Sequence, residues 1–218
     1  MQKKITSMLV SKVNEVYVKV DVEPYIQKEL SDFFTFEVPG AKFMPSVRNR
    51  YWDGKIRLFS PANCQIYTGL LPYLKEFCKR NDLEIVIEKG IENEKELDDK
   101  IVEKFIKSLK PKSKGKLLEV RDYQIDAIQC ALSNHRGMLV SPTASGKSLI
   151  IYALIRFYHY LLKDKKILIL VPTTSLVEQM YSDFIDYGWN DKYLHRIYQG
   201  HEKVTDKPVV ISTWQSIY

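Results

Sequence analysis

One eight-residue segment constrains this chain more than any other: Ser141-Pro-Thr-Ala-Ser-Gly-Lys-Ser148. It follows a short apolar run at 137–140 that predicts a buried strand, and it leads into an apolar periodic stretch that predicts a helix over 147–161. Four residues and then Gly-Lys-Ser, between a strand and a helix, form the pattern of a phosphate-binding loop of the Walker A type. The first position is Ser141 where the pattern has glycine, and such a match arises by chance in roughly one chain in ten of this length. The strand–loop–helix setting favours the phosphate-binding interpretation.

Each residue type in the loop predicts a role. Backbone N–H groups around 143–147 would converge on a β-phosphate at the helix N-terminus, where the helix dipole favours anions. Gly146 permits a close approach of the backbone, Lys147 would neutralise the β and γ oxygens, and the Ser148 hydroxyl would ligate Mg²⁺. The sequence therefore predicts a site for ATP or GTP with Mg²⁺, with Lys147 and Ser148 as catalytic residues. The residues predicted to bind the nucleotide here are Pro142, Thr143, Ala144, Ser145, Gly146, Lys147 and Ser148.

The composition is that of a folded protein. The chain has 218 residues, of which 45% are hydrophobic and 28% charged, which excludes collagen-like, low-complexity and wholly disordered chains. No apolar run reaches the ~20 residues needed to cross a bilayer, and the N-terminus lacks the long apolar stretch of a secretory signal. The three cysteines form no C-x-x-C pair, and no histidine has metal-ligand spacing. We expect an intracellular chain in a reducing compartment, with neither a disulfide nor a metal held by protein ligands alone.

Two regions differ in pattern on either side of a lysine-rich segment. Residues 1–106 combine an alternating strand at 15–23 with short strands, turns and helices, which predicts a small α+β domain. Residues 107–116, KSLKPKSKGK, predict a basic linker. From 117 to 218, apolar strands alternate with helices, which predicts an α/β domain with a parallel sheet covered by helices on both faces.

Periodicity and turn signals place the individual elements. The predicted helices are 24–34, 70–81, 94–109, 122–133, 147–161 and 175–187. The remaining predicted strands are 83–87, 137–140, 166–171, 194–198 and 208–212. Asp53-Gly54, between RNRYW and KIRLF, predicts a β-hairpin.

The positive charge is unevenly distributed. The net charge is +6, and residues 1–116 hold 22 Lys and Arg against 17 Asp and Glu, which favours a polyanionic partner for the first region. The basic residues cluster over 42–57 and alternate with Phe43, Tyr51 and Trp52. Guanidinium groups around a hairpin suit phosphates, although a solvated face is the alternative, and for the aromatic residues a core position is favoured over base stacking. The predicted nucleic-acid contacts in this cluster are Arg48, Arg50, Lys55 and Arg57.

Further motifs, in order along the chain, resemble those of superfamily 2 helicases and translocases. Arg121-Asp-Tyr-Gln124 resembles the R-x-x-Q adenine-recognition motif, in which an amide accepts from adenine N6 and donates to N7, so Arg121 and Gln124 are expected to select ATP. The segments VPTTSLVEQM, Gln199-Gly200 and ISTWQSI resemble motifs Ia, Ib and Ic. Hydroxyls at 173–175 suit helix N-caps equally well, and Trp214 is expected to pack. The nucleic-acid contacts that the resemblance implies are Pro172, Thr173, Thr174, Gly200, Thr213 and Gln215.

The resemblance narrows to the UvsW-type helicases of T-even-type phages. FFTFEVPGAKFMPSVRNRYWDGKIRLF and GLLPYLKEFC resemble the N-terminal domain of that group, and the likeness covers essentially the whole chain. It implies a RecA-like P-loop domain and an ATP- and Mg²⁺-dependent enzyme. The sequence leaves the oligomeric state open, with a monomer expected, and predicts a cytoplasmic location, which is the host cytoplasm if the chain is phage-encoded. The implied reaction is the unwinding or branch migration of DNA junctions, D-loops and R-loops in recombination, repair and replication control. Another superfamily 2 translocase, restriction-type or RNA-directed, and a non-motor nucleic-acid-binding module with a regulatory P-loop are the alternatives.

One departure from the superfamily pattern is large. The chain reaches Tyr218 without a D-E-x-H motif, a motif III or a second RecA-like unit. The carboxylate that supports Mg²⁺ and the arginine finger belong to those parts. We therefore expect an N-terminal fragment that binds nucleotide weakly and has no significant ATPase activity by itself.

Overall fold

The structure is a computed structural model that describes residues 7–92, 98–134 and 136–217. The chain divides into two units, Met1–Glu94 and Lys95–Tyr218. The boundary lies earlier than the one predicted at residue 106, because the helix before that residue packs in the second unit.

A mixed sheet forms the core of the first unit. In chain order the elements are β1 (Ser7–Lys12), β2 (Tyr17–Asp21), α1 (Pro24–Phe33), β3 (Thr35–Glu37), α2 (Pro45–Arg48), β4 (Lys55–Arg57), β5 (Phe59–Ser60), β6 (Gln65–Tyr67), α3 (Leu71–Arg80) and β7 (Glu84–Ile87). The strand order is β5-β6-β2-β1-β7, with β7 parallel to β1 and the other neighbours antiparallel. Val18 and Val20 alternate inward from β2 and are fully buried against Leu30 of α1 and Leu74 of α3. The predicted α+β class is thus what the first unit shows.

The predicted hairpin at Asp53-Gly54 is wrong. Residues Pro45–Arg48 form α2, and β4 pairs with β3 instead, with Glu37 opposite Lys55. Gly54 has φ +77°, and a Cβ there would lie 3.0 Å from the Ala41 Cβ. The glycine therefore serves a left-handed turn packed closely against Ala41.

The second unit contains a parallel sheet with helices between its strands. Its elements are α4 (Asp99–Leu109), β8 (Lys112–Ser113), β9 (Lys116–Leu117), α5 (Asp122–Ser133), α6 (Lys147–Leu161), β10 (Ile167–Val171), α7 (Thr174–Asp186), β11 (Leu194–Ile197) and β12 (Val209–Thr213). β10, β12 and β11 lie side by side in that order, all parallel. The predicted α/β class with a parallel sheet is confirmed.

Helix α4 and the segment after it belong to the second unit. Val102 and Ile106 are each 1% exposed and pack in one cluster with Ile128 of α5 and Ile150 of α6. Residues 107–116, predicted as a linker, form the end of α4 and the β8–β9 hairpin, and the Lys114 N–H donates to the Asp186 carboxylate at 3.0 Å. The linker prediction is wrong because its Lys and Gly residues form a turn, with positive φ at 114 and 115. The first residues of the predicted helix, 94–97, lie outside the described residues.

The strand predicted at 137–140 is not formed. These residues pair with no strand in the described part of the chain, and Met138 and Val140 are 89% and 87% exposed. Helices α6 and α7 cover one face of β10, where Ile169 is buried, but Leu168 and Leu170 on the other face are about half exposed. Within the described residues, the outer edge of β10 has no neighbouring strand. The prediction that helices cover both faces of the sheet is therefore wrong for β10.

Three further observations concern membrane-spanning helices, metal ligands and cysteines. Within residues 7–92, 98–134 and 136–217, no helix has the combined length and apolar character of a membrane span. The same residues contain no group of three or more His, Cys, Asp or Glu arranged to hold a metal ion. All three cysteines, Cys64, Cys78 and Cys130, are free thiols.

Candidate nucleotide site and nucleic-acid surfaces

The turn before α6 has the backbone form of an anion-binding loop. Ala144 (φ +64°) and Gly146 (φ +80°) are left-handed on either side of Ser145. Alternation of this kind points successive N–H groups into one concavity, which suits an anion. Gly146 is also the N-cap of the fifteen-residue helix α6, whose N-terminus adds partial positive charge. The loop predicted from the sequence therefore presents the geometry that phosphate oxygens bind.

Two side chains of α5 hold this loop through one carbonyl oxygen. The Tyr123 hydroxyl and the Gln124 Nε2 donate to the Ser145 oxygen at 2.9 Å and 3.0 Å. The Gln124 Oε1 accepts from the Arg121 N–H at 3.0 Å, and Gln124 is only 5% exposed. A Cβ on Gly146 would lie 2.3 Å from the Gln124 Nε2. The φ of +80° thus favours glycine at 146, and an added Cβ would also displace the Gln124 amide from its hydrogen bonds.

Tyr123 is a site residue that the sequence reasoning missed. With Arg121 and residues 139–145, it lines a cavity of about 500 Å³ beside the loop. Its signal was its position next to Gln124 in the R-x-x-Q motif. Gln124 itself was assigned to adenine recognition, and the structure shows it bonded to the loop. Its amide keeps one N–H and one lone pair, but Gln124 is 5% exposed and is not among the residues that line this cavity.

Lys147 and Ser148 already have partners within the protein. The Lys147 ammonium donates to the carbonyl oxygens of Pro142 at 2.6 Å and Ser141 at 3.2 Å. A phosphate in the loop would offer the same ammonium a charged acceptor, which makes a stronger hydrogen bond than a carbonyl. The Ser148 hydroxyl lies beside the Tyr187 phenol and lowers its pKa slightly, but burial, with smaller effects from two neighbouring aspartates, raises the pKa of Tyr187 to about 12. Ser148 therefore faces a neutral phenol at physiological pH.

Three segments that resemble nucleic-acid motifs leave the parallel sheet at one edge. Since β10, β11 and β12 run the same way, the residues that follow them lie at the carboxyl edge. Pro172, Thr173 and Thr174 are exposed after β10, and Gly200 is exposed in a turn after β11 with φ +91°. The Thr173 hydroxyl accepts from the Leu176 N–H at 3.4 Å, so Thr173 is an N-cap of α7, the role that the sequence left open.

The segment after β12 differs in part from its prediction. Gln215 is exposed, but Thr213 is 4% exposed and its hydroxyl is paired with that of Ser216 at 2.8 Å. Trp214, expected to pack, is 57% exposed. The surface here therefore offers Trp214 and Gln215, while Thr213 supports the turn from inside.

Comparisons with known proteins cover both units. Residues 10–88 match the family model described as "DNA helicase UvsW, N-terminal", and residues 117–218 match "Type III restriction enzyme, res subunit". A crystal structure of the UvsW helicase from bacteriophage T4 has a TM-score of 0.85 and 36% sequence identity over 97% of this chain and 76% of that chain. The chain belongs to the UvsW helicase family.

Two further comparisons fix the extent of the likeness. The "ATP-dependent DNA helicase uvsW" of Enterobacteria phage T4 is 38% identical over 208 residues, which are 92% of this chain. A second crystal structure, of T4 UvsW, has a TM-score of 0.86, 36% identity and coverage of 97% of this chain and 43% of that chain. The chain spans 41% of the length of the curated UvsW relative. The second unit thus carries part of a superfamily 2 motor domain of the RecA-like P-loop class, as the sequence predicted.

An ion-pair network in this UvsW-family chain joins α7 to β11 near the carboxyl edge. The Glu178 carboxylate accepts from Arg196 at 2.6 Å and from the Tyr198 hydroxyl at 2.7 Å. The Arg196 guanidinium also lies 4.0 Å from the centre of the Tyr181 ring. The hydrogen bond from Tyr198 and the charge of Arg196 hold the pKa of Glu178 below its ordinary value. The network fixes the strand before Gly200 against the helix that Thr173 caps.

In the unit that matches the UvsW N-terminal model, the predicted basic contacts fall into two pairs. Arg57 is bonded to Asp53, whose pKa is lowered by that bond, and Lys55 lies 3.8 Å from the Glu37 carboxylate. Arg48 and Arg50 are exposed, and among the described residues neither forms an ion pair. The second pair is therefore the freer one for an external anion.

The aromatic residues of the same cluster lie outside the core. The sequence analysis had favoured a core position for them. Tyr51 is 86% exposed and Phe43 is 73% exposed. Trp52 is half-buried, and its Nε1 donates to the Lys55 carbonyl at 3.0 Å. Only Trp52 of the three therefore has a mainly structural position.

Proposed function

We propose that this chain supplies the nucleotide site and the DNA-binding surfaces of an ATP-dependent helicase that acts on branched DNA. The substrates would be junctions, D-loops and R-loops in recombination and repair. The observation that carries the proposal is the loop at 141–148, with its alternating left-handed residues and its clamp from α5. A turn held this firmly at a helix N-terminus suits a nucleotide phosphate.

The residues present fit ATP with Mg²⁺. The N–H groups of the loop would hold the β-phosphate, Lys147 would leave its carbonyl partners for the β and γ oxygens, and Ser148 would supply a hydroxyl to the metal. Arg121 and Tyr123 would border the base in the cavity beside the loop. ATP hydrolysis supplies the free energy for strand separation, and the part of this chain is to bind and orient the nucleotide.

The DNA strand would lie along the carboxyl edge of the parallel sheet. Exposed N–H groups at the start of α7, with Thr173 and Thr174, suit phosphate oxygens, as does the turn at Gly200. Gln215 would add a side-chain contact, and Thr213 would act by shaping its turn. Arg48 and Arg50 provide a second surface in the first unit, and two surfaces on separate units suit a substrate with more than one arm.

A restriction-type DNA translocase is the second candidate. It is favoured by the match of residues 117–218 to the res-subunit model of type III restriction enzymes. The two candidates share the motor features and differ in whether strands are separated. Strand separation is thus the property that distinguishes them.

The nucleotide site is tested with Lys147→Ala. Loss of a hydrogen bond between an ammonium and a charged phosphate should weaken binding of a fluorescent ATP analogue with Mg²⁺ by about 10- to 100-fold. Circular dichroism should stay unchanged, because Lys147 is exposed. Lys163→Ala, an exposed lysine after α6, is the matched control and should bind as the wild type does. Equal affinity in Lys147→Ala and wild type would refute the site.

The reaction is tested with the full-length gene product on a synthetic four-way junction. We expect ATP-dependent separation of the arms, abolished by Lys147→Ala. ATP-driven movement along duplex DNA without strand separation would favour the restriction-type candidate instead.

A further inference from the structure

A short segment of the first unit exposes aromatic and basic side chains together. We call residues 42–51 the aromatic–basic tip. Tyr51, Phe43 and Met44 are 86%, 73% and 40% exposed, and Tyr51 and Phe43 are more exposed than the tyrosine of α3, Tyr73, at 55%. Isolated exposed apolar residues are ordinary, but several within ten residues indicate a binding surface. The side chains that form the tip are Lys42, Phe43, Met44, Arg48, Arg50 and Tyr51.

The backbone of the tip is firmly held, so the exposure of its rings is a built feature. The N–H groups of Tyr51 and Trp52 both donate to the Ser46 carbonyl, at 2.9 Å and 3.2 Å. Arg50 adopts a left-handed conformation with φ +59°, which few non-glycine residues do without compensation. Beneath the tip, Gly54 packs close enough to Ala41 that an added Cβ would lie 3.0 Å from it. Tyr51 is therefore presented to solvent by an ordered turn.

The charge of the tip selects its partner. No acidic residue occurs from 42 to 52, and the nearest one, Asp53, is engaged by Arg57. The Lys42 ammonium lies 5.1 Å from the centre of the Phe43 ring, so a cation and an aromatic face are already adjacent. Phosphates are complementary to such cations, and the faces of unpaired bases are complementary to exposed rings.

We propose that the aromatic–basic tip is a stacking site for unpaired bases of single-stranded DNA. Tyr51, helped by Phe43, stacks on a base while Arg48 and Arg50 contact the flanking phosphates. The bases of a continuous duplex hide their faces from such a ring, so the tip distinguishes single strands and opened junctions from blunt duplex. This inference rests on the proposed DNA-binding function and adds the form of DNA that the first unit recognises.

An exposed tyrosine and arginine could also bind another protein, since tyrosine and arginine are enriched at the hot spots of protein–protein interfaces. The two partners give different results with DNA alone. Stacking on a base needs no second protein, and it changes the fluorescence of a base analogue.

The test uses the full chain and a single-stranded oligonucleotide carrying 2-aminopurine, with a blunt duplex of the same length for comparison. Tyr51→Ala should weaken single-strand binding about tenfold and remove the quenching of 2-aminopurine, because one base loses its stacking partner. Duplex binding should change less than twofold. Tyr51→Phe, which keeps the ring, should retain both the affinity and the quenching.

Tyr73→Ala is the matched control, since Tyr73 is a tyrosine of α3 in the same unit that is 55% exposed. It should bind single-stranded DNA as the wild type does. If Tyr51→Ala binds single-stranded DNA and quenches 2-aminopurine as the wild type does, the proposal that the aromatic–basic tip is a stacking site is refuted. The proposed DNA-binding function is then unaffected. A wild-type chain that binds no DNA of either form would overturn both.

Discussion

At the scale of single residues, Gly146 has two structural features that a substitution would disturb. Its φ of +80° favours glycine, and the Gln124 amide occupies the space that a Cβ would need. The glycine could be predicted from the loop motif alone. The amide contact could not, because it joins residues far apart in sequence through the packing of α5 against the loop.

Gly146→Ala should therefore disrupt both the conformation of the loop and the binding of the proposed nucleotide. The left-handed backbone alone should cost about 1–2 kcal/mol of the free energy of unfolding, and displacement of Gln124 adds to it. We expect a lower midpoint in urea unfolding and loss of ATP-analogue binding. Gly137→Ala is the matched control, since that glycine has no positive φ and no atom near its Cβ position. Unchanged stability and binding in Gly146→Ala would contradict this account of the loop.

At the scale of elements, local signals and pairings were predicted with unequal success. Helices α5 and α6 have the predicted bounds, and β10, β11, β12 and α7 agree within one residue at each end, because apolar periodicity is a local property. Strand β1 was missed, and the partner of β4 and the strand at 137–140 were wrong. A strand forms only where another strand pairs with it through hydrogen bonds. The sequence of a segment does not indicate which other segment will be its partner.

The Glu178 link between α7 and β11 makes a prediction about acid stability. The pKa of Glu178 is lowered in the folded chain, first by the Tyr198 hydrogen bond and then by Arg196. The stabilisation is therefore present above the unfolded pKa of about 4.3 and is lost as pH falls through the folded value. Glu178→Gln should be less stable than wild type to urea at pH 7, with the difference shrinking below pH 4. A difference that does not depend on pH would show that the charge of Glu178 is unimportant.

Glu29→Gln is the control for this measurement. Glu29 is an exposed carboxylate on α1, so its replacement should leave the stability to urea at pH 7 as in wild type.

At the scale of the whole molecule, the position of the unit boundary reassigns the charge. Residues 1–94 hold 14 Lys and Arg against 13 Asp and Glu, whereas residues 95–218 hold 19 against 14. The basic excess attributed to the first region thus lies mostly in α4 and the β8–β9 hairpin. The proposed DNA contact of the first unit therefore rests on the local arrangement of three cations in the aromatic–basic tip, Lys42, Arg48 and Arg50, and not on an overall charge excess.

Helix α4 should behave as part of the second unit. Ile106→Ala should lower the free energy of unfolding by about 2–5 kcal/mol, because it opens a cavity against α5 and α6. Hydrogen exchange should speed up in peptides from α5 and α6 and stay unchanged in β1 and β2. Ile101→Ala, on the exposed side of the same helix at 57% exposure, should change neither. Faster hydrogen exchange confined to the first unit would show that α4 packs with the first unit instead.

In the part of the chain that the structure describes, one edge of β10 has no neighbouring strand, and this has a consequence for handling the protein. A strand edge with free N–H and carbonyl groups is a template on which another chain can add a strand. Beside that edge lie the half-exposed Leu168 and Leu170, and both are apolar. Self-association by this route grows with concentration and is favoured by the hydrophobic effect, which weakens on cooling. Purified chain is therefore best kept dilute and cold.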